Sequence, residues 1–528
     1  MLGGSERARA GRRALFPAWI LLAAGGLAVG AEGCSLTNIP HDACDTDAAC
    51  QEAFGVGSAC DAGYCTAAGT CDTGHDCRKK YGGGACVDGS CRMFVPENPQ
   101  CALVDPDDLL ARPLVGDGST LVVGAIFATD DPKNEATADA VRLAIREIDE
   151  STGMVAGQRV GLVVCDNGGP GNAASGEERT QLDQQALDFL AGTLGVPYIV
   201  GPRTSSDALK IVARLVEKQY PTVVISPSAT STELTGVPSR LDPGDPYPMF
   251  WRTCPSDAIQ GEVMAQNVLG ADPGIATVSV VYTNDAYGQG MSDVILGSFG
   301  ASGTELVPFD ASKLTDPAAV GAVADTVVTQ ATDAVVIVAV SANDTVRLLS
   351  AMVEKGLGTK KFFFTDGSKD AKALLDAGLS AEVKAVIAAA KGTAPASARD
   401  EATFKQFSAG LGAAFPGIQP NLYSFLAHSY DAAYMGAAAT IFAQTESAEY
   451  DGRDVAAGLA SLSKGALVEL GPISWPMAKQ TITDDRQMDV LGISGDLNLD
   501  PDLGEGPAPI EVWVVNAAGT GFDTEALF

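Results

Sequence analysis

Apolar residues along this chain fall into two alternating rhythms. Short, nearly uncharged runs occur at residues 121–127, 160–165, 197–201 and 222–226. Between them apolar residues recur at spacings of three and four, as in Ala138, Val141, Ile145 and Ile148, which marks one face of a helix. A second series begins at 277–282 and continues at 334–340 and 361–364. Strands that are apolar throughout are buried on both faces, the pattern of a parallel sheet covered by helices. The chain therefore reads as α/β, with two doubly wound parallel-sheet lobes spread over residues 119–528. In such sheets ligands sit beyond the carboxyl ends of the strands.

Two strand ends carry hydroxyl-rich turns. One runs Gly201-Pro202-Arg203-Thr204-Ser205-Ser206-Asp207, the other Ser226-Pro227-Ser228-Ala229-Thr230. In the second, Thr230 and Glu233 have the spacing of a capping box, which predicts a helix opening there. Backbone donors at helix N-termini favour an anion, so the pair of turns points to a carboxylate-binding cleft.

Composition narrows the class. The 528 residues include 66 acidic against 35 basic side chains, a formal net charge of -31, which excludes a nucleic-acid surface. The N-terminus has the form of an export signal over residues 1–33: Arg7, Arg9, Arg12 and Arg13 precede an apolar run, 14–29, too short and too broken to span a membrane. After it, Gly33-Cys34-Ser35 resembles a bacterial lipobox, making Cys34 the lipidation candidate; cleavage after Ala31 is the alternative. The protein is expected to be exported, in the periplasm or cell envelope, and held to a membrane by a lipid.

Twelve cysteines in an exported chain read as disulfides. Within a Cys-rich module over 34–101 the spacing reveals a duplication: Cys44, Cys50, Cys60 and Cys65 in unit 44–65, then Cys71, Cys77, Cys86 and Cys91 in unit 71–91. Each unit has too few apolar residues for a core of its own, and its four cysteines permit three pairings. The expected role is a stalk, followed by a proline-rich, acidic linker at 102–118. Cys165 and Cys254, each at a strand end, are candidates to pair; Cys34 and Cys101 would bridge if Cys34 is not acylated. Zinc is disfavoured because no CxxC spacing occurs.

From residue 119 onward the chain resembles the type I periplasmic binding proteins of the branched-chain amino-acid (Leu/Ile/Val) family. The pieces are Gly201-Pro202-x-x-Ser205-Ser206, Ile225 to Thr230, Phe250-x-Arg252-Thr253-x-Pro255-Ser256-Asp257, Tyr282-x-Asn284-Asp285-x-Tyr287-Gly288-x-Gly290 and Phe364-Thr365-Asp366-Gly367. The resemblance implies lobe I at about 119–252 and 388–485, lobe II at about 253–387 and 486–528, and hinge crossovers between them. It further implies an amino acid-like ligand passed to the membrane subunits of an ABC importer. Ser205, Ser206, Ser228, Ala229 and Thr230 would hold its carboxylate, and Tyr287 and Asp366 its ammonium. No cofactor or metal is implied. The chain departs from the family at Val340, where an aromatic is common, in the loop 128–134, and in an apparent insertion at 475–492.

An enzyme is disfavoured: His41, His75 and His428 are the only histidines, and no nucleophile elbow, HExxH or phosphate loop occurs. His428 reads as a structural histidine with its hydrogen bonds satisfied. A surface-anchored sensor or adhesion protein, coupled to a partner through the Cys-rich module, is the competing reading.

Overall fold

The computed structural model describes residues 44–528, except Arg399 and the side chain of Asn421. The export signal, Ala31, Cys34 and His41 lie outside the described residues. Lobe I is built on strands β1 (Leu103–Asp105), β2 (Thr120–Phe127), β3 (Arg159–Asp166), β4 (Tyr198–Val200), β5 (Val223–Ser226) and β6 (Phe250–Arg252). Their order is β6-β5-β4-β2-β3-β1, parallel except for β1, which runs antiparallel along β3. Every residue of β2 is buried, as its uninterrupted apolar run requires. Helix α1 (Pro132–Ser151) covers the sheet with the predicted face, Ala138, Val141, Ile145 and Ile148 all buried. Pro132 opens it and the Asp131 carboxylate accepts from the amides of Lys133 and Asn134.

Lobe II is built on β7 (Val278–Thr283), β8 (Thr304–Phe309), β9 (Ala334–Val338), β10 (Lys361–Phe364), β11 (Lys391–Pro395), β12 (Ile510–Val515) and β13 (Phe522–Leu527). The order is β8-β7-β9-β10-β11-β12-β13, with β12 and β13 antiparallel. Alternate residues enter separate cores: Val335, Ile337, Phe362 and Phe364 on one face, Val336, Val338 and Phe363 on the other. The sheet is thus covered on both sides. Among the described residues no helix is long and apolar enough to cross a membrane.

Several expectations need correction. The lobe borders shift: β11 belongs to lobe II, so the chain returns to lobe I after Pro395, not at 388. Val490, Leu497 and Leu499 lie in the lobe I core, so the last crossing comes just before Ile510, not at 486. The stretch 102–118 is no linker. Leu103 to Asp105 pair with β3, Leu109 is fully buried beside Gly161, and the Asp105 carboxylate accepts from Arg142 and Arg146. Its apolar residues outweigh its prolines because an open sheet edge was there to be covered.

Cys165 is bonded to Cys101, and Cys254 is a buried free thiol. Sheet order supplies the reason. Cys101 stands just ahead of β1, the neighbour of β3, whereas Cys254 follows β6 at the opposite edge. Strands spaced about 4.8 Å apart put it far outside disulfide reach.

In the Cys-rich module each unit is a short helix followed by a hairpin, and both units pair first with third and second with fourth cysteine. The bonds are Cys44–Cys60 and Cys50–Cys65, then Cys71–Cys86 and Cys77–Cys91. The module is not a free stalk. Helix Gly74–Tyr81 of the second unit lies against lobe I, where His75 Nε2 is 2.9 Å from Thr222 Oγ1 and Lys79 pairs with Asp451 at 2.8 Å. Arg78 donates to the Gly195 carbonyl and covers the Tyr450 ring. Gly74 is required there, because a Cβ would fall 2.4 Å from the Leu194 backbone. The contacts fall just ahead of β4 and β5, at the amino ends of those strands.

Candidate functional site

The carboxyl ends of β4 and β5 meet those of β7, β9 and β10 across an interlobe cleft. Its inner chamber is lined by Arg203, Thr204, Ser205 and Ser228 from lobe I, by Asp285, Tyr287, Val340, Asp366 and Gly367 from lobe II, and by Phe425. Free space inside is about 20 Å³, room for about one water. Arg203, Thr204, Asp285, Val340 and Gly367 form a wall shared with an outer chamber of about 340 Å³. That chamber adds Lys133, Arg179 and Asp207 from lobe I and Asp344 and Asp370 from lobe II. A wider groove of about 890 Å³ between α1 and residues 414–423 contains no residue of the two hydroxyl-rich turns.

Local chemistry sets each turn. Gly201 has φ +110°, and a Cβ there would lie 2.4 Å from the Ile126 carbonyl, so only glycine lets β4 turn out beneath β2. Thr204 then caps α2 (Ser205–Lys218), its hydroxyl oxygen accepting from the Asp207 amide. In the second turn the predicted capping box is absent. Ser231, one residue after Thr230, is the cap: its oxygen accepts from the Glu233 amide and opens only a single 3-10 turn, Thr232–Leu234. A hydroxyl run offers several caps, and Ser231 prevails because its own hydroxyl also donates to the Ala286 carbonyl of lobe II at 2.7 Å.

Ser205, Ser228, Tyr287 and Asp366 therefore come together around the inner chamber. Ser206, Ala229 and Thr230 do not line it. Ala229 and Thr230 are buried behind it, where the guanidinium of Arg252 donates to the carbonyls of Ala229 (3.0 Å) and Ser231 (2.9 Å) and pairs with Glu505. Ser228 Oγ donates to the Arg203 carbonyl, and Ser205 Oγ accepts from the Ser231 amide, which leaves its O–H free to donate. On the opposite wall Tyr287 Oη lies 2.7 Å from both Asp366 Oδ1 and Thr365 Oγ1, and Gln260 Nε2 donates to the same Oδ1 at 2.9 Å. No hydrogen bond reaches Asp366 Oδ2 among the described residues.

Burial shifts the neighbouring acids. Desolvation pushes Asp285 up to about 6 against the pull of the Gly288 amide, and lifts Asp257 well above the carboxylate range, with the Asp366 charge adding to it. Burial, then the Arg203 charge, brings Lys133 down to about 7. His428, expected to be satisfied, is buried with neither ring nitrogen hydrogen-bonded among the described residues; it meets Phe425 edge to face, and desolvation lowers it to about 3. Phe425 itself has φ +71°, an outlier for an aromatic residue at a cleft wall. Lys133, Arg203, Asp285 and Phe425 were missed as site residues. The first three lie inside motifs singled out for other residues, and Phe425 had no local signal.

Parallel-sheet lobes joined by crossovers around a cleft of opposed charges define a two-lobed ligand-binding protein. The chain belongs to the receptor family ligand binding region family, which matches residues 136–515. No curated protein matches it. Among solved structures it is similar to the branched-chain amino-acid transporter substrate binding protein LivJ of Streptococcus pneumoniae, in complex with isoleucine. That likeness has 19% identity and a TM-score of 0.55, over 78% of this chain and 99% of the other. The leucine binding protein LivK of Thermotoga maritima is similar at 18% identity and TM-score 0.57, over 77% and 98%. So is a solute binding protein of an ABC transporter from Rhodopseudomonas palustris, in complex with p-hydroxybenzoic acid, at 16% and 0.57, over 78% and 97%.

Proposed function

We propose that this protein is an extracytoplasmic solute-binding protein that captures a small acid, an amino acid or a related compound, between its lobes for an ABC importer. The observation that carries the reading is the division of charge across the cleft. Lobe I presents the free Ser205 hydroxyl with Lys133 and Arg203, its own Asp207 being paired with Arg179, and lobe II presents Asp285, Asp366 and Tyr287, a complement for carboxylate facing ammonium. Structurally similar proteins crystallised with isoleucine or p-hydroxybenzoic acid support it. The Ser205 hydroxyl takes the carboxylate in this reading, beside the Ser228 backbone, and Asp366 Oδ2 the ammonium. The five disulfides among the described residues support an oxidising compartment, with Cys34 as the lipid anchor in this reading. The sensor or adhesion reading is favoured by one observation, the docking of the duplicated module on lobe I.

The test is a thermal-shift panel of amino acids and aromatic acids on oxidised, ligand-free protein starting at residue 35. A ligand at about one hundred times its Kd adds roughly 2.7 kcal/mol and raises Tm visibly. Asp366→Ala is expected to abolish the shift by an amino acid. Silence across the panel from folded protein would sink the reading.

A further inference from the structure

Arg203 lines both chambers, yet no hydrogen bond or ion pair reaches its guanidinium among the described residues, and its Nε is shielded from solvent without an acceptor. Other cations nearby are occupied: Arg179 pairs with Asp207 at 2.8 Å and Arg252 with Glu505. Lys133, 5% exposed, lines the same outer chamber, and among the described residues the only hydrogen bond of its Nζ is to the Asp366 carbonyl at 3.5 Å, the outer limit of such a bond. Two cations, Lys133 buried and Arg203 half-buried, face one cavity, and neither has an ion-pair partner among the described residues.

Neighbouring carboxylates do not fill that role. The charges facing Lys133 are Asp131 on its own loop, Arg203 from the turn after β4, and Asp366 and Asp370 from lobe II. Asp131 and Asp370 already accept backbone amides at helix starts, and neither forms an ion pair with Lys133. The chamber also offers little to an apolar side chain. Its aliphatic lining is Ala174, Ala311, Val340 and Ala342, without leucine, isoleucine or an aromatic ring.

We propose that the ligand is an acidic amino acid or a comparable amino dicarboxylate, whose second carboxylate is held at the cleft mouth by Arg203 and Lys133. This rests on the solute-binding reading above. A guanidinium fork takes a carboxylate in two parallel bonds, and the ammonium of Lys133 adds charge without fixed geometry. The same anion stabilises protonated Lys133, so binding near pH 8 takes up a proton.

The experiment is titration calorimetry on the oxidised protein with L-glutamate, L-aspartate, L-glutamine, L-leucine and 4-hydroxybenzoate. It uses the native chain, Arg203→Gln and Lys133→Gln, at pH 8 in two buffers of different ionisation enthalpy. Glutamate or aspartate is expected to bind at least about tenfold more tightly than glutamine. Each variant should lose about tenfold or more for the acid and less than about threefold for glutamine. Proton uptake should accompany acid binding in the native protein, a result independent of how the variants fold, and vanish in Lys133→Gln. Tighter or equal binding of glutamine, leucine or 4-hydroxybenzoate overturns the inference and leaves the solute-binding reading standing. Acid binding without proton uptake also overturns the part assigned to Lys133. No binding by any compound removes both.

Discussion

Lys133 shows what burial does to a single charge. An exposed lysine titrates near 10.5, but here desolvation and Arg203 bring it to about 7. Between those values the unfolded chain holds a proton that the folded one lacks, so stability rises with pH across the window. Below pH 7 the cost of the buried charge is full; by pH 10.5 it is gone. Urea midpoints at pH 7 and pH 9 check this. Relative to Lys133→Met, the native protein should gain about 2 kcal/mol of stability between the two. An equal pH response in both would show that the ammonium is solvated. The same residue then answers to two signals, solution pH and an anion in the cleft.

Between elements, Arg252 does the joining. At the end of β6 it ties the turn after β5, through the carbonyls of Ala229 and Ser231, to Glu505 near the last crossing into lobe II. Arg252→Met would leave two buried carbonyls without a donor and the partly exposed Glu505 carboxylate with only Thr235, at a cost of about 3 kcal/mol in urea unfolding. A loss below about 1 kcal/mol would mean that these elements hold without it. Strands such as β2 and β9 were legible because burial on both faces writes itself as an unbroken apolar run. Ser205, Ser228, Tyr287 and Asp366 were legible as motif positions at strand ends. What escaped depends on tertiary neighbours. The choice of Ser231 as cap turns on the Ala286 carbonyl, the partner of Cys165 on sheet order, and the unpaired state of Arg203 among the described residues on which carboxylates come near it. The segment 102–118 misled through its prolines, although Leu103, Leu109 and Leu114 were the better guide.

At the scale of the molecule, lobe I and the Cys-rich module act as one body. The second unit is fastened by buried His75 and Arg78, by Lys79–Asp451 and by the close backbone approach at Gly74. The lobes meet through lighter contacts, among them Ser231 to the Ala286 carbonyl and Lys133 to the Asp366 carbonyl. In the solute-binding reading an inner chamber with room for about one water must widen before an amino acid enters, and those contacts are the ones expected to part. In that reading the module, packed on lobe I, is the fixed frame, and lobe II is the part expected to move against it. A dye pair joining the module to lobe II should change its energy transfer when ligand is added, while a pair joining the module to lobe I should not. In the solute-binding reading, a partner bound to the first unit would register an occupied cleft as a displacement of the far lobe, with its own grip undisturbed.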